Sequence, residues 1–313
     1  MQLADYFMID THCDTLREVL KTGAELRSNN LHLSLDRVKD FGGYVQFFAA
    51  WIDDKEARPL QEALQLLDTF YCEYEKNRAH MQLILTQEDL REALFSGKTG
   101  AILAVENGNA LEGSLAVLRM LYRLGVRAVT LTWNGQNELG YGSMGENNGG
   151  LTEFGRAVVF EMNRLGMLID VSHLSEQGFW DVLSISQKPV MASHSNARAV
   201  TEHKRNLTDD QICALIQTGG FIGLNLYPVF LSRNGRADLT DCLKHIEHML
   251  ELGAENILGL GSDFDGVESL PEGLSGPHEY IHLFDLLLQK GYSDSLIKKL
   301  THENFLRFAE GIL

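Results

Sequence analysis

Three histidines and three carboxylates in this chain stand where short apolar runs end, and their types are those of metal and acid–base chemistry. His12 and Asp14 close the stretch FMIDTHCD two positions apart. In an extended segment residues i and i+2 project the same way, so both side chains can enter one mouth. Glu106 closes AILAVE, and its two oxygens could bridge two metals roughly 3.5–4 Å apart, the spacing of two-metal hydrolases. His173 ends LIDVSH and His194 ends PVMASH. Imidazole together with carboxylate suits Zn2+ and its neighbours. Asp263, in GSDFDG, has two roles open to it. It could pass the proton of an attacking water to a leaving amine, or it could be a sixth ligand. Asp265 in the same turn reads as structural, because Asp-Gly is turn chemistry. Any one of these side chains alone reads as a polar cap on a strand end. The five ligand types gathered at one end of a single architecture read as a metal pair.

A second metal-like motif competes. HEYIH, from His278 to His282, matches the H-E-x-x-H zinc-protease signature. Pro277 favours the first helical position. At about 100° per residue, Ile281, Phe284, Leu287 and Leu288 then centre on one face. His278 and His282 fall on the other face with Asp285 and Gln289, which predicts a solvent-facing pair and no ligand role. His245 and His248 read as another exposed pair, and His32, His80 and His302 get the same reading.

The elements that must position these residues recur along the chain. Eight short runs, β-branched and aromatic-rich, each end in a polar residue or a Gly-rich turn: FMIDTH (7–12), VQFFAAW (45–51), AILAVENG (101–108), RAVTLTW (127–133), LIDVSH (168–173), PVMASH (189–194), FIGLNLY (221–227) and ILGLGSDF (257–264). Nearly continuous apolar character is how strands buried on both faces read. Helical spacing lies between them, as in Ala63, Leu64, Leu67, Phe70 and Tyr71, and in Leu115, Leu118, Leu121 and Tyr122. Eight β-then-α units predict an α/β fold, a single (β/α)8 TIM barrel over residues 1–313, with its active site at the C-terminal ends of the strands. An open doubly wound sheet would need a Gly-rich phosphate turn after an early strand, and none follows FMIDTH. The predicted mouth also carries Trp133, Asn134 and Asn225.

Composition bounds the rest. The chain has 313 residues, 44% hydrophobic and 22% charged, as in an ordinary globular protein. No apolar run reaches the roughly 18 residues needed to span a bilayer, and the N-terminus does not read as a signal peptide. No membrane is therefore expected as a partner. The four cysteines are scattered without a C-x-x-C, which fits a reducing, cytoplasmic location. A net charge of −16 repels a phosphate backbone, so nucleic acid is not expected as a partner.

At these residues the chain resembles the membrane (renal-type) dipeptidase family, peptidase family M19, of binuclear zinc peptidases. The matching segments are IDTHCD, NNLHLSLDRVKDFGGYVQFFAAW, VENG, LIDVSH, SHSNAR followed by HKRNLTDD, and GSDFDGV, in the family's order from residue 9 to 267. The resemblance implies two Zn2+ per chain, though other divalent metals are possible. His12 and Asp14 would hold one ion, His173 and His194 the other, and Glu106 would bridge them. It also implies that Asp263 is the acid/base residue and that Arg205, in HKRN, holds the substrate's terminal carboxylate. A guanidinium suits that role, although Arg205 beside Lys204 and His203 also reads as a solvated charge. Trp133, Asp263 and Tyr227 join Arg205 as the expected substrate-binding set.

The chain departs from the family in one place. It reads LTWN where many relatives carry a histidine that contacts the reacting carbonyl, and it offers Trp133, whose indole donates one N–H and cannot titrate. The Gly-rich stretch at 139–150 follows, and reads as a mouth-lining loop or as flexible surface. The expected activity is hydrolysis of a dipeptide with a free carboxylate by a metal-bridging hydroxide, in a possible homodimer. The rivals are a deacylase, lactonase or phosphoesterase on the same barrel, and a metal-stabilised binding protein without turnover.

Overall fold

The computed structural model describes residues 2–313. Its strands, among the described residues, are β1 (Phe7–Asp10), β2 (Gly43–Trp51), β3 (Met81–Leu83), β4 (Thr99–Glu106), β5 (Val126–Thr130), β6 (Leu168–Asp170), β7 (Met191–Ala192), β8 (Phe221–Leu224) and β9 (Leu258–Leu260). All pair in parallel in the order β2-β1-β9-β8-β7-β6-β5-β4, and pairing of β2 with β4 closes the ring. This is the expected eight-stranded barrel with helices between its strands. The ninth strand, β3, has no counterpart among the eight runs. It pairs with Thr99–Ala101 of β4, below the point where β5 joins β4 at Leu103. Three residues on one ladder are too few to leave a periodic signal.

Both faces of the strands are buried, which explains why their sequences do not alternate between apolar and polar. β4 is buried at all eight positions. Ile102 and Ala104 belong with Ile9, Val45, Phe47, Ala128, Leu168, Met191 and Phe221 in an inner core, while Ala101, Leu103 and Val105 join the outer core under the helices. Helix Asn304–Ala309 inserts Phe305 edge-on against Phe47 and Phe221, at 5.3 Å and 5.2 Å. That closes the N-terminal end of the barrel and leaves the other end for chemistry.

Several local expectations change. The ladders stop two to four residues before most runs end, so of the six chemistry-bearing residues only Glu106 lies on a strand. Leu64 is exposed on helix Pro59–Lys76, where Leu66 takes the inward position. His245 is fully buried rather than exposed. Its Nδ1 accepts from the Ala197 N–H at 3.1 Å and its Nε2 donates to the Leu231 carbonyl at 3.1 Å. His248 is half-buried against Asp209, at 2.8 Å. A buried imidazole that satisfies backbone groups at both nitrogens has no sequence signature.

Candidate metal centre and substrate cavity

The residues that gather at the mouth are held by loops that leave the strands, and the backbone there is unusual. His173, Asp263 and Asp265 all adopt positive φ, at 67°, 64° and 65°. Non-glycine residues in that region cluster at functional sites. Asp14 stands at the N-cap of helix Thr15–Thr22, yet its carboxylate makes no capping bond. It faces His12 instead, Oδ2 to Nε2 at 3.4 Å. A Cβ at position 266 would collide with Asp14 Oδ2 and Asp263 Oδ1, so glycine there lets the two carboxylates approach.

Glu106 lies between two groups of partners. Its Oε2 is 3.2 Å from His12 Nε2, and its Oε1 is 2.9 Å from His173 Nε2 and 3.6 Å from His194 Nε2. Asp263 Oδ1 is 3.9 Å from His12 Nε2, and Asp263 Oδ2 accepts from Asn225 Nδ2 at 2.8 Å. The structure therefore brings together His12, Asp14, Glu106, His173, His194 and Asp263. The ligand atoms of His12, Glu106 and His194 lie within 4.8 Å of one another, as do those of His12, Asp14 and Asp263.

Electrostatics mark this cluster as short of positive charge. Burial, followed by the neighbouring Arg205 and His12, holds the His173 imidazole well below its usual range, and burial with His12 does the same for His194. Both rings are therefore neutral. His173 Nδ1 faces Asn134 Oδ1 at 3.1 Å and His194 Nδ1 faces Ser193 Oγ at 2.7 Å. With the ring protons placed there, two Nε2 lone pairs meet at 2.9 Å. Burial would lower His12, but the Glu106 and Asp14 carboxylates outweigh it and hold this imidazole well above its usual range. Burial pushes Glu106 up to about 7 and Asp263 up to about 6. His12 Nε2 and Asp14 Oδ1 are buried with no hydrogen-bond partner. Lone pairs converge here, and protons or metal cations must neutralise them. Three imidazoles and the carboxylates fit divalent zinc.

Beside this cluster opens a cavity of about 550 Å3 lined by Trp51, Trp133, Asn134, Tyr227, Phe230 and Glu268, among others. Trp133 meets Trp51 edge to face, and its ring lies 6.3 Å from that of His173. Tyr227 is bonded to Glu268, and burial followed by that carboxylate pushes its phenol up to about 12. Arg205 is 4% exposed. It donates to the His194 carbonyl at 3.3 Å, stacks 5.5 Å from Phe230, and pairs with no carboxylate among the described residues. Its Nε has no partner, and burial pulls the guanidinium down to about 10. The carboxylates of Asp263, Glu106 and Asp170 act on it from a distance, and it lies behind the cavity wall rather than in its lining; a buried guanidinium with no direct carboxylate contact and a free Nε suits an anionic group.

Other features fall away from the site. Asp265 accepts from Thr15 Oγ1 and from the backbone of His32 and Leu33, which makes it a structural tie. The stretch at 139–150 does not line the cavity. It packs behind His173, whose carbonyl accepts from Ser143 N at 2.6 Å. His282 is exposed as expected, but His278 is half-buried, and its Nδ1 is shielded without a partner. Neither residue joins the cluster. Sequence reasoning missed Trp51, Asp170 and Ser193. Trp51 ends an apolar run just as Trp133 does, and Asp170 and Ser193 are polar residues within apolar runs. Those were the available signals.

A family model described as "Membrane dipeptidase (Peptidase family M19)" matches residues 2–312. An uncharacterised dipeptidase of Schizosaccharomyces pombe is 34% identical over 90% of this chain and 74% of its own length. Among solved structures, a metallopeptidase from Rhodobacter sphaeroides liganded with a phosphinate mimic of the dipeptide L-Ala-D-Ala superposes with a TM-score of 0.91. It is 28% identical, over 98% of this chain and 99% of that one. A second solved structure, dipeptidase AC, described as a metallopeptidase of family M19, has a TM-score of 0.91 and 30% identity over 98% of each chain.

Proposed function

This chain belongs to the membrane dipeptidase family, peptidase family M19, and on that premise we propose that it hydrolyses dipeptides at a pair of zinc ions. The observation that carries this reading is the position of Glu106, with one oxygen toward His12 and the other toward His173 and His194. His12 and Asp14 would hold one ion, His173 and His194 the second, with Glu106 shared. The ions, when bound, would supply a water deprotonated near neutral pH and polarise the scissile carbonyl.

The chain's own residues do the rest. Arg205, whose Nε has no hydrogen-bond partner, pairs with the terminal carboxylate of the substrate. This favours a peptide over a lactone or a phosphoester. The water oxygen bonds to the carbonyl carbon as the C=O π pair moves onto oxygen, and the C–N bond breaks as that pair re-forms the carbonyl. Asp263 takes the proton released from the water and delivers it to the departing amine nitrogen. Asn225 holds Asp263 Oδ2, which leaves Oδ1 toward the site. Trp51, Trp133, Tyr227 and Phe230 wall the cavity.

Among the described residues no helix is long and apolar enough to cross a membrane. The four unpaired cysteines support a cytoplasmic location, and family resemblance supports a homodimer. The decisive experiment is steady-state turnover on a dipeptide library, alongside elemental analysis of the purified protein. The reading expects two zinc ions per chain and hydrolysis confined to substrates with a free carboxylate. A single tightly held metal, or no turnover of any dipeptide by metal-replete protein, would overturn it.

A further inference from the structure

The two imidazoles that meet at Glu106 are braced differently from behind. His173 leans on a neutral amide, Asn134 Oδ1. His194 leans on a hydroxyl that is itself tied to a buried carboxylate. Ser193 Oγ lies 2.7 Å from His194 Nδ1 and 2.5 Å from Asp170 Oδ2. Asp170 is 1% exposed, and every partner it has is a donor. Its Oδ1 accepts from the Ser172 and Ser193 N–H groups, and its Oδ2 accepts from Thr130 Oγ1 and Ser193 Oγ. Ser193 Oγ also lies 3.3 Å from Ser172 Oγ, but the contact to Asp170 Oδ2 is far shorter, so the Ser193 hydroxyl proton goes to Asp170 and the Ser172 hydroxyl can donate to Ser193. Toward His194 the Ser193 oxygen can only accept, which puts the ring proton on Nδ1 and the lone pair on Nε2.

We propose that Ser193 is a positioning residue, which transmits the charge of Asp170 to His194 and fixes this imidazole in the tautomer that presents Nε2 to a metal. The proposal rests on the two-zinc reading above. The geometry leaves little slack. The Ser193 carbonyl accepts from Thr11 Oγ1 at 2.6 Å, and a Cβ at position 223 or 261 would collide with that carbonyl. The His194 N–H is held by Ser172 Oγ at 3.1 Å. A carboxylate behind a ligating imidazole raises its basicity, and losing such a partner typically costs about 10–100-fold in metal affinity. Here one serine oxygen is interposed in that arrangement.

Thr130 provides the control, because it donates to the same Asp170 oxygen without lying between Asp170 and His194. Zinc affinity is measured by chelator competition on Ser193→Ala, Thr130→Val and wild-type protein, with the melting temperature of each metal-free protein recorded beside it. The expected result is a loss of about 10–100-fold at one of two sites in Ser193→Ala, with Thr130→Val close to wild type, whatever the two do to melting temperature. Equal zinc affinity in all three, or equal losses in both variants, would overturn the proposal and leave Ser193 a structural tie. If Ser193→Ala does not fold, nitrogen-15 histidine NMR of metal-free wild type decides, because zinc on Nε2 would itself force the proton to Nδ1. His194 must carry its proton on Nδ1, and a proton on Nε2 would refute the assignment. Wild-type protein that binds no zinc would instead refute the metal reading itself.

Discussion

Trp133 stands edge-on to Trp51, ring centroids 4.9 Å apart, and together the two indoles form one wall of the cavity beside His173. Trp51 is in turn covered by the Arg17 guanidinium, 4.3 Å from its ring, and Arg17 is paired with Glu62 at 3.2 Å. The indole at position 133 is thus held in a stack rather than loose at the rim, where the family resemblance expects a hydrogen-bonding histidine.

The first prediction follows from that stack. Removing an oxyanion donor costs on the order of 10²–10³-fold in kcat, so turnover of ordinary L,L-dipeptides should be weak unless the indole N–H or Asn134 supplies the bond. Assaying Trp133→His and Trp133→Phe beside wild type checks this. A rise with His and a fall with Phe places the position at the transition state. Equal activity in all three makes Trp133 a packing residue.

Glu106→Gln should weaken both metal sites together. One carboxylate faces His12 through Oε2 and His173 through Oε1, and an amide offers one oxygen and one donor. Metal content by elemental analysis should fall at both sites. Loss of one ion with full retention of the other would show that Glu106 serves a single site.

Asp263→Asn should keep its metals and lose about 10²–10⁴-fold in kcat, the usual cost of removing a positioned acid or base. If the metals leave with the carboxylate, Asp263 is a ligand.

His245 should make the fold acid-sensitive. Burial pulls its imidazole down to about 4 from an ordinary 6.5, and outweighs the Leu231 carbonyl and the Asp241 carboxylate, which pull it up. The unfolded chain binds a proton near 6.5 and the folded one only near 4. The contribution is therefore fully present above pH 6.5 and lost as pH falls toward 4, on the order of 3 kcal/mol in all. Denaturant melts of metal-free protein from pH 7.5 to 4 should show a steeper loss in wild type than in His245→Gln, which has no charge to gain. Parallel pH profiles would refute the assignment.

The sequence by itself determined the barrel and most of its mouth. Strands buried on both faces must read as apolar runs, and a run that stops at a histidine or carboxylate marks the end of the barrel where such side chains gather. His12, Asp14, Glu106, His173, His194 and Asp263 were legible because residue type and position within a run are local properties. Only the tertiary structure decided what faces what. Asp14 turns away from its capping site toward His12, and Glu106 divides its oxygens between two groups of histidines. Asp170 and Ser193, 23 residues apart, meet behind His194. His245, on a helix whose sequence pattern suggested exposure, is buried where the loop carrying Ala197 crosses it. Such contacts join segments distant along the chain, and barrel closure sets their register. No periodicity within a segment records which distant backbone group will come to lie against a given side chain.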